Sequence, residues 1–445
     1  MRKMLLFNSP IYPERVNVDE KYVPPLGLGY IATQIKKANI DIDIIDCVKR
    51  RMGIKEIFSA LKEYTPEFIG FNIFTQNFDI VKRIVEECPI ETNIMIGGQV
   101  VKSVFEEILN WNTPNKLFIV IGEAELIVPE IIKGTCTEVP RIKVESKQVY
   151  FVDCKSQYFP NDLNAISIDR TLLGETVGVN RYGEKEASII TSRGCVYDCA
   201  FCGVAYSLSG DSTVRYRSVS NIEDEINQIL KSCPDLSSIR VLDDLYLKTE
   251  RDIWSAIKLF KKFDNLSWRC MAHVNSLRSS LKCLPNMRES GCRELFIGIE
   301  SGSNKIRKKI KKHGTSEDVL RVVIKILEQG INVKGYFMLG IPSETNDDAE
   351  MTFRLAREIK SASKNLAGDF RPSVFQFRPY HGTQLYNEIL NDKGKIGKVE
   401  ANTALNVNEG RSQFNFHSGN YSDIEDGLLN EYILKIQSLV REDDV

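Results

Sequence analysis

Short apolar runs alternate with amphipathic helical patterns twice along this chain, and a stretch from 136 to 186 that keeps neither rhythm separates the two blocks. Such alternation admits few folds, because parallel strands need long crossovers and the helices that supply them must cover the sheet. In the first block the apolar runs are KMLLFN (3–8), IDIDIID (40–46), FIGFNIF (68–74), NIMIGG (93–98) and LFIVIG (117–122). Between them GYIATQIKKAN, IKEIFSALKEY and FDIVKRIVEEC carry apolar residues at helical spacing. Five strands so spaced predict a doubly wound, Rossmann-like domain over 1–135, with ligands held at the carboxyl ends of the strands. Asn8-Ser9, Gly97-Gly98 and Gly122-Glu123 stand at those ends, although any one of them is also ordinary turn chemistry.

Residues 136–186 read as a short hairpin followed by an irregular connector. The alternation then resumes with ASIITSRG (187–194), SIRVLDD (238–244), LSWRCMAHV (266–274), ELFIGIES (294–301), NVKGYFMLG (332–340) and SVFQFRPY (373–380). Six βα units predict a partial (β/α)6 barrel over 187–385, whose chemistry belongs at the carboxyl ends of its strands. Ser220 and Glu223 suggest a capping box for a helix with Ile222, Ile226, Ile229 and Leu230 on one face. The segment 386–445, helical at GLLNEYILKIQSLVR, is expected to cap the barrel mouth. The whole chain is thus expected to be α/β.

Composition narrows the function. Lys and Arg number 59 against 60 Asp and Glu, a net charge of −1, so no broad basic field recruits nucleic acid or anionic membrane. No apolar run reaches the length of a membrane span. The opening MRKMLLFNSPIYPE lacks a small-residue cleavage site and runs into Pro10 and Pro13, so Met4–Phe7 reads as a first strand rather than a leader. Eleven cysteines at irregular spacing suit a reducing cytoplasm better than a disulfide framework.

Three of those cysteines are not scattered. TSRGCVYDCAFCGVAY places Cys195, Cys199 and Cys202 just after the first barrel strand, at the end where a site belongs. A structural zinc site needs four ligands, and no further His or Cys follows until Cys233. A redox thiol set stays open, but would be more convincing with its C-x-x-C at a helix start. Iron–sulfur clusters are held by thiolates, normally one per iron, so three thiolates on a four-iron cluster leave one iron open.

C-x3-C-x2-C with an aromatic residue before its last cysteine resembles the signature of the radical S-adenosylmethionine (SAM) superfamily. The resemblance implies that Cys195, Cys199 and Cys202 bind a four-iron, four-sulfur cluster and that the open iron takes the amino and carboxylate groups of SAM. Cleavage of SAM by one electron then gives a 5′-deoxyadenosyl radical. Phe201 holds the aromatic position near the adenine. VLDDLY resembles the second-strand motif and implicates Asp243 and Asp244 at the SAM ammonium, without choosing between them. FIGIESGS resembles the fourth-strand motif, with Glu300 at the ribose or methionyl part and Ser301 beside it. In KKHGT, Lys312 is the candidate for the SAM carboxylate. GYFMLGIPSET resembles the fifth-strand motif, with Met338, Leu339 and Gly340 lining the adenine; there Ser343 stands where the family more often has glycine. FRPYHGTQLY resembles the sixth-strand motif, with His381 in place of a proline.

The first block also carries a resemblance. YVPPLGLGYIATQIKKANIDIDIID, FIGFNIFTQNF, IMIGGQVV and VIGEAELIVPEI are similar to the cobalamin-binding domain fused to many radical SAM enzymes. This implies corrin contacts at Pro25, Leu26 and Gly27, at Thr75 and Gln76, at Gly97, Gly98 and Gln99, and at Gly122, Glu123 and Glu125. Cobalamin domains that supply a lower-face histidine use D-x-H-x-x-G. Here the matching DCVKRRMG has none, and all four histidines (His273, His313, His381 and His417) lie outside the domain.

Together the resemblances imply a cobalamin-dependent radical SAM enzyme acting on a small molecule between the two cofactors, with methyl transfer to an unactivated carbon as the leading reaction. Tyr380 and His381 are the candidate substrate-facing residues, His381 as an acid or base. An external electron donor such as a flavodoxin or ferredoxin is implied. Three alternatives stand: a ring rearrangement or cyclisation without methyl transfer; a methylthiotransferase, which would need a second cluster on Cys47, Cys88 and Cys136; and a non-enzymatic metal-binding or redox-sensing module.

Overall fold

The computed structural model describes residues 4–12, 23–137, 139–209, 214–392, 394 and 419–441. Both expected α/β layers are present. In the first domain β1 (Met4–Asn8), β2 (Ile42–Asp46), β3 (Phe68–Asn72), β4 (Asn93–Gly97) and β5 (Lys116–Gly122) pair in parallel in the order β2-β1-β3-β4-β5. The hairpin β6 (Arg141–Val144) and β7 (Lys147–Val152) extends this sheet beyond β5, with β7 parallel to it. Helices cover both faces because the strands are apolar on both: Leu5, Phe7, Ile69 and Ile94 pack toward one layer, Met4, Leu6, Phe68 and Met95 toward the other. The connector does not wander. Its Leu163, Ile166 and Leu173 close over Leu26 and Tyr30 of the first helix, α1 (Leu26–Lys37).

The second sheet runs β8 (Gly178–Val179), β9 (Lys185–Ile189), β12 (Ser238–Val241), β13 (Ser267–Ala272), β14 (Cys292–Glu300), β15 (Asn332–Leu339) and β16 (Phe370–Gln376). Its six strands from β9 onward are parallel, as a partial barrel requires. A separate small ladder of β10 (Ser192–Arg193) and β11 (Arg215–Tyr216) brackets the cysteine loop. Side chains of one parity, among them Ile239, Cys270, Ile297 and Phe337, are buried under the helices. The other parity faces the lumen.

Two expectations are corrected. The helix Val219–Ser232 is capped by Ser218, not Ser220: Ser218 has extended backbone and accepts from Asn221 N, while Ser220 Oγ turns back to Ser218 Oγ. The C-terminal helix Asp426–Arg441 does not itself cover the strand ends, although Ile389 and Tyr421 of the same segment pack there with Ala200, Phe201 and Met338. Leu429, Tyr432, Ile436 and Leu439 form an apolar stripe that packs into the outer helical layer beside β16. His417 and the surrounding 395–418 lie outside the described residues.

Candidate cofactor and substrate site

Cys195, Cys199 and Cys202 lie in an irregular loop that leaves the carboxyl end of β9. The loop is held from below. Asp243, fully surrounded, accepts from Thr191 N (2.7 Å), Thr191 Oγ1 (2.6 Å) and Ser192 Oγ (2.5 Å), and Lys248 Nζ donates to Ser192 Oγ. Both Asp243 oxygens are thereby occupied, so this carboxylate anchors the loop. Asp244 is the residue left for a ligand. It is exposed, yet exposed into a concavity, and the protein around it raises its carboxyl pKa, with Asp243 adding to the effect. Its carboxylate accepts from Gly194 N.

The donor set suits a cluster. Cys199 lies within electrostatic reach of Cys195, and Cys202 of both. Backbone N–H groups of Tyr197 and Val204 donate to Cys195 and Cys202. Burial pushes all three thiols up, Cys202 to about 12. Among the described residues no three His, Cys, Asp or Glu side chains converge as one metal ion demands. Three thiols in one loop, each within electrostatic reach of the others, suit a four-iron cluster with one iron left open.

Beyond the loop, Glu300 ends β14 in the left-handed region (φ 65°) and pairs with Lys312 Nζ at 3.1 Å. The fully buried Arg307 fixes this corner by donating to Ile299 O (2.5 Å), Ser301 O, His313 O and Gly314 O. Gly298 makes the pair possible, since a Cβ there would lie 2.2 Å from Glu300 Oε1 and 2.7 Å from Lys312 Nζ. Phe201 and Met338 meet in one cluster with Ala200 and Phe377. Gly340 has φ 90°, and Glu344 holds the turn by accepting from Gly340 N (2.6 Å) and Ile341 N (3.2 Å). Burial raises the Glu344 pKa to about 8.

Two expected SAM contacts are not on this face. Leu339 follows Met338, and strand alternation sends it to the outer helical core, where it is fully buried. Ser301 is also fully buried, its hydroxyl shared between Thr352 Oγ1 and Ser303 N.

The expected corrin residues divide in the same way. Gly27, Gly98 and Gly122 are exposed, Gly97, Pro25 and Gln76 half-buried, along the carboxyl edge of the first sheet. Gly98 (φ 123°) cannot carry a side chain, because its Cβ would strike Ile73 O at 2.4 Å. That bare backbone rim is a surface a large planar ligand can approach closely. Leu26 is instead packed under the connector. Glu123 is paired with Arg193 and Arg215, and Glu125 with Arg193 at 2.6 Å. Gln99 lies against Gly203, next to Cys202, with its Nε2 2.6 Å from where a Gly203 Cβ would be. Thr75 Oγ1 bonds His381 Nδ1 at 3.1 Å. Thus Glu123, Glu125 and Thr75 join the domains, while Gln99 reaches across and stays exposed. His381 is correspondingly no exposed acid or base: it is buried between Phe78 and Tyr386, and burial lowers its pKa to about 4. Tyr380 is half-buried beside it, its carbonyl accepting from Thr383 N and Oγ1.

Sequence reasoning missed Arg193 and Arg215. Arg193 stands within the quoted TSRGC run, but nothing local marks it; its partners come from a segment about seventy residues earlier.

Two family signatures match the chain: Radical SAM superfamily over residues 189–356 and B12 binding domain over 15–132. An uncharacterised methyltransferase of Pyrococcus horikoshii is 26% identical over 377 residues, covering 82% of this chain and 78% of that protein. The cytidylyl-2-hydroxyethylphosphonate methyltransferase of Streptomyces wedmorensis is 24% identical over 430 residues, with 82% and 78% covered. Among solved structures, the radical SAM methyltransferase TsrM from Kitasatospora setae, with tryptophan substrate and a SAM analogue bound, superposes with a TM-score of 0.62 at 17% identity, covering 87% of this chain and 76% of that one. The fold is therefore shared with that enzyme, and the signatures fall on the two domains described above. The chain belongs to the radical SAM enzymes that carry an N-terminal B12-binding domain, and its cofactors are a four-iron, four-sulfur cluster, SAM and cobalamin.

Proposed function

We propose that the enzyme methylates an unactivated carbon of a small molecule. The observation that carries this is the seam: Gln99, from the corrin-side rim, lies against Gly203, adjacent to the third cluster cysteine. The carboxyl edges of both sheets thus approach one another, and a substrate would lie between them. The methyltransferase relatives support the same reading.

Bound together, the cofactors supply a hydrogen-abstracting radical and a transferable methyl group. Overall, R–H, two SAM and two electrons give R–CH3, S-adenosylhomocysteine, methionine and 5′-deoxyadenosine. The chain's own residues hold and orient. Cys195, Cys199 and Cys202 would hold the cluster, Asp244 would take the SAM ammonium, the Glu300–Lys312 pair would take its ribose and carboxylate, and Phe201 and Met338 would give the adenine an apolar wall. A flavodoxin or ferredoxin supplies the electrons, and eleven unpaired thiols suit a reducing cytoplasm. No helix among the described residues is long and apolar enough to cross a membrane.

The methylthiotransferase alternative is disfavoured by geometry. Cys47 and Cys136 lie on opposite faces of the first sheet, so they cannot share a second cluster with Cys88.

Anaerobic reconstitution with iron, sulfide and hydroxocobalamin, followed by absorption spectra and product mass, tests the proposal. Bound corrin and a product heavier by one methylene unit are expected. An unchanged or oxidised carbon skeleton would replace methylation by rearrangement or cyclisation. Cys199→Ala is expected to abolish SAM cleavage while corrin stays bound.

A further inference from the structure

The amino-terminal half of the barrel lumen holds a row of charges that the site above does not use. Arg240 of β12 pairs in register with Arg269 of β13, and Arg269 with Glu294 of β14. Arg269 is satisfied: Nε and Nη2 donate to Glu186 at 2.7 and 2.6 Å, and Nη1 to Glu294 at 2.8 Å. Arg371 takes the other Glu294 oxygen at 3.0 Å. The neighbouring Glu184 turns away to Asn180 and Ser267. Both lumen carboxylates are therefore spent on two guanidiniums; Lys334 of β15 also faces the lumen, its ammonium 4.8 Å from the Tyr336 ring centroid, and Arg240 is a further cation. It makes no hydrogen bond or ion pair among the described residues; its buried Nε has no partner, and its guanidinium rests 5.3 Å from the Phe296 ring centroid. An arginine stays charged however it is buried, so the fold maintains an unneutralised cation there.

The lumen above it is not filled. Inward-facing Met271, Tyr336, Ser373 and Phe375 keep accessible surface, whereas their outward neighbours Cys270, Phe337 and Val374 have almost none. Phe296, Tyr336 and Phe375 follow one another at 6.4 and 5.7 Å between rings, forming an apolar aromatic wall. From Arg240 to Asp244 is four residues along the strand line, roughly 13 Å.

We propose that Arg240 anchors an anionic group of the substrate, a carboxylate or a phosphate, at the base of the lumen. The substrate body lies along the aromatic wall, and the carbon to be modified is presented at the carboxyl end, beneath the SAM site. The inference deepens the proposed function and rests on its small-molecule reading. Its test does not depend on methyl transfer.

Ligand-observed NMR on the reconstituted holoenzyme would compare phenylacetate, phenyl phosphate and the neutral phenylethanol. At least one anion is expected to bind about tenfold tighter than the alcohol, as a charge-assisted pair gives, and the tighter anion identifies the group. Arg240→Gln should remove the preference without weakening phenylethanol, and Arg240→Lys should retain part of it. Equal binding of anions and alcohol by the unmodified protein would overturn the proposal, with no variant needed. So would a full anion preference in Arg240→Gln. Corrin retention and SAM cleavage, read on the same samples, report separately on the function proposed above.

Discussion

His381 Nδ1 and Thr75 Oγ1 lie 3.1 Å apart, joining residues 306 positions apart in sequence and in different domains. The same hydroxyl also accepts from the His381 backbone N–H at 3.4 Å. Nearby, Gly382 (φ 79°) sits so close to Ser103 that a Cβ would fall 2.0 Å from its Oγ. The seam that brings the two cofactor edges together is thus built from a neutral histidine, a bare glycine and, farther along, the Arg193–Glu123–Arg215 pairs.

The histidine makes this seam acid-sensitive. His381 has a folded pKa of about 4 against an ordinary 6.5, so between those values the unfolded chain binds the extra proton. Its contribution to stability is intact above pH 6.5 and is lost as pH falls toward 4, by up to about 3 kcal/mol. Denaturant unfolding across this window should show a shallower acid loss in His381→Gln. An identical slope would mean that His381 is already charged in the fold.

Arg193→Gln removes the common partner of Glu123 and Glu125 at a partly buried position. Stripping one member from such a pair costs about 3 kcal/mol. Limited proteolysis should then cut the connector faster, with the first cuts between 153 and 186. Unchanged cleavage would show that the seam holds without the ion pairs.

Asp243 and Asp244 should separate cleanly. Asp243→Asn loses an acceptor that serves three donors, so it should lower stability by about 2 kcal/mol. Asp244→Asn should melt like the unmodified protein but bind SAM about tenfold more weakly by equilibrium dialysis. The opposite pattern would exchange their roles.

Ser343 adopts φ 63°, the left-handed region that disfavours side chains. Relief of that strain, less the greater chain entropy of glycine, should make Ser343→Gly about 0.5 kcal/mol more stable. A small rise in melting temperature is the expected reading, and a fall would mean that the Ser343 side chain makes a favourable contact outweighing the strain.

Much of the site was legible in order along the chain. Strand positions were read to within a few residues from apolar periodicity, and the cysteine spacing pointed to a cluster because ligands in a single loop are a local feature. Errors arose where a residue's partner is remote. Asp243 and Asp244 are indistinguishable as neighbours in VLDD, yet Thr191 and Ser192 claim one and leave the other. The motif groups Leu339 with Met338, although adjacent strand residues must face opposite ways. Ser218 and Ser220 are both good caps, and only backbone conformation chose between them.

The sequence by itself determined two α/β domains, a three-cysteine loop at the end of the first barrel strand and a first domain without a histidine, because periodicity and spacing are carried by nearby residues. The tertiary structure alone decided which of the rim residues stay open to a ligand and which, like Thr75, Glu123 and Glu125, are consumed in joining the domains. It alone left Arg240 without a counter-ion, since charge balance in a lumen depends on side chains that six separate strands bring to one level.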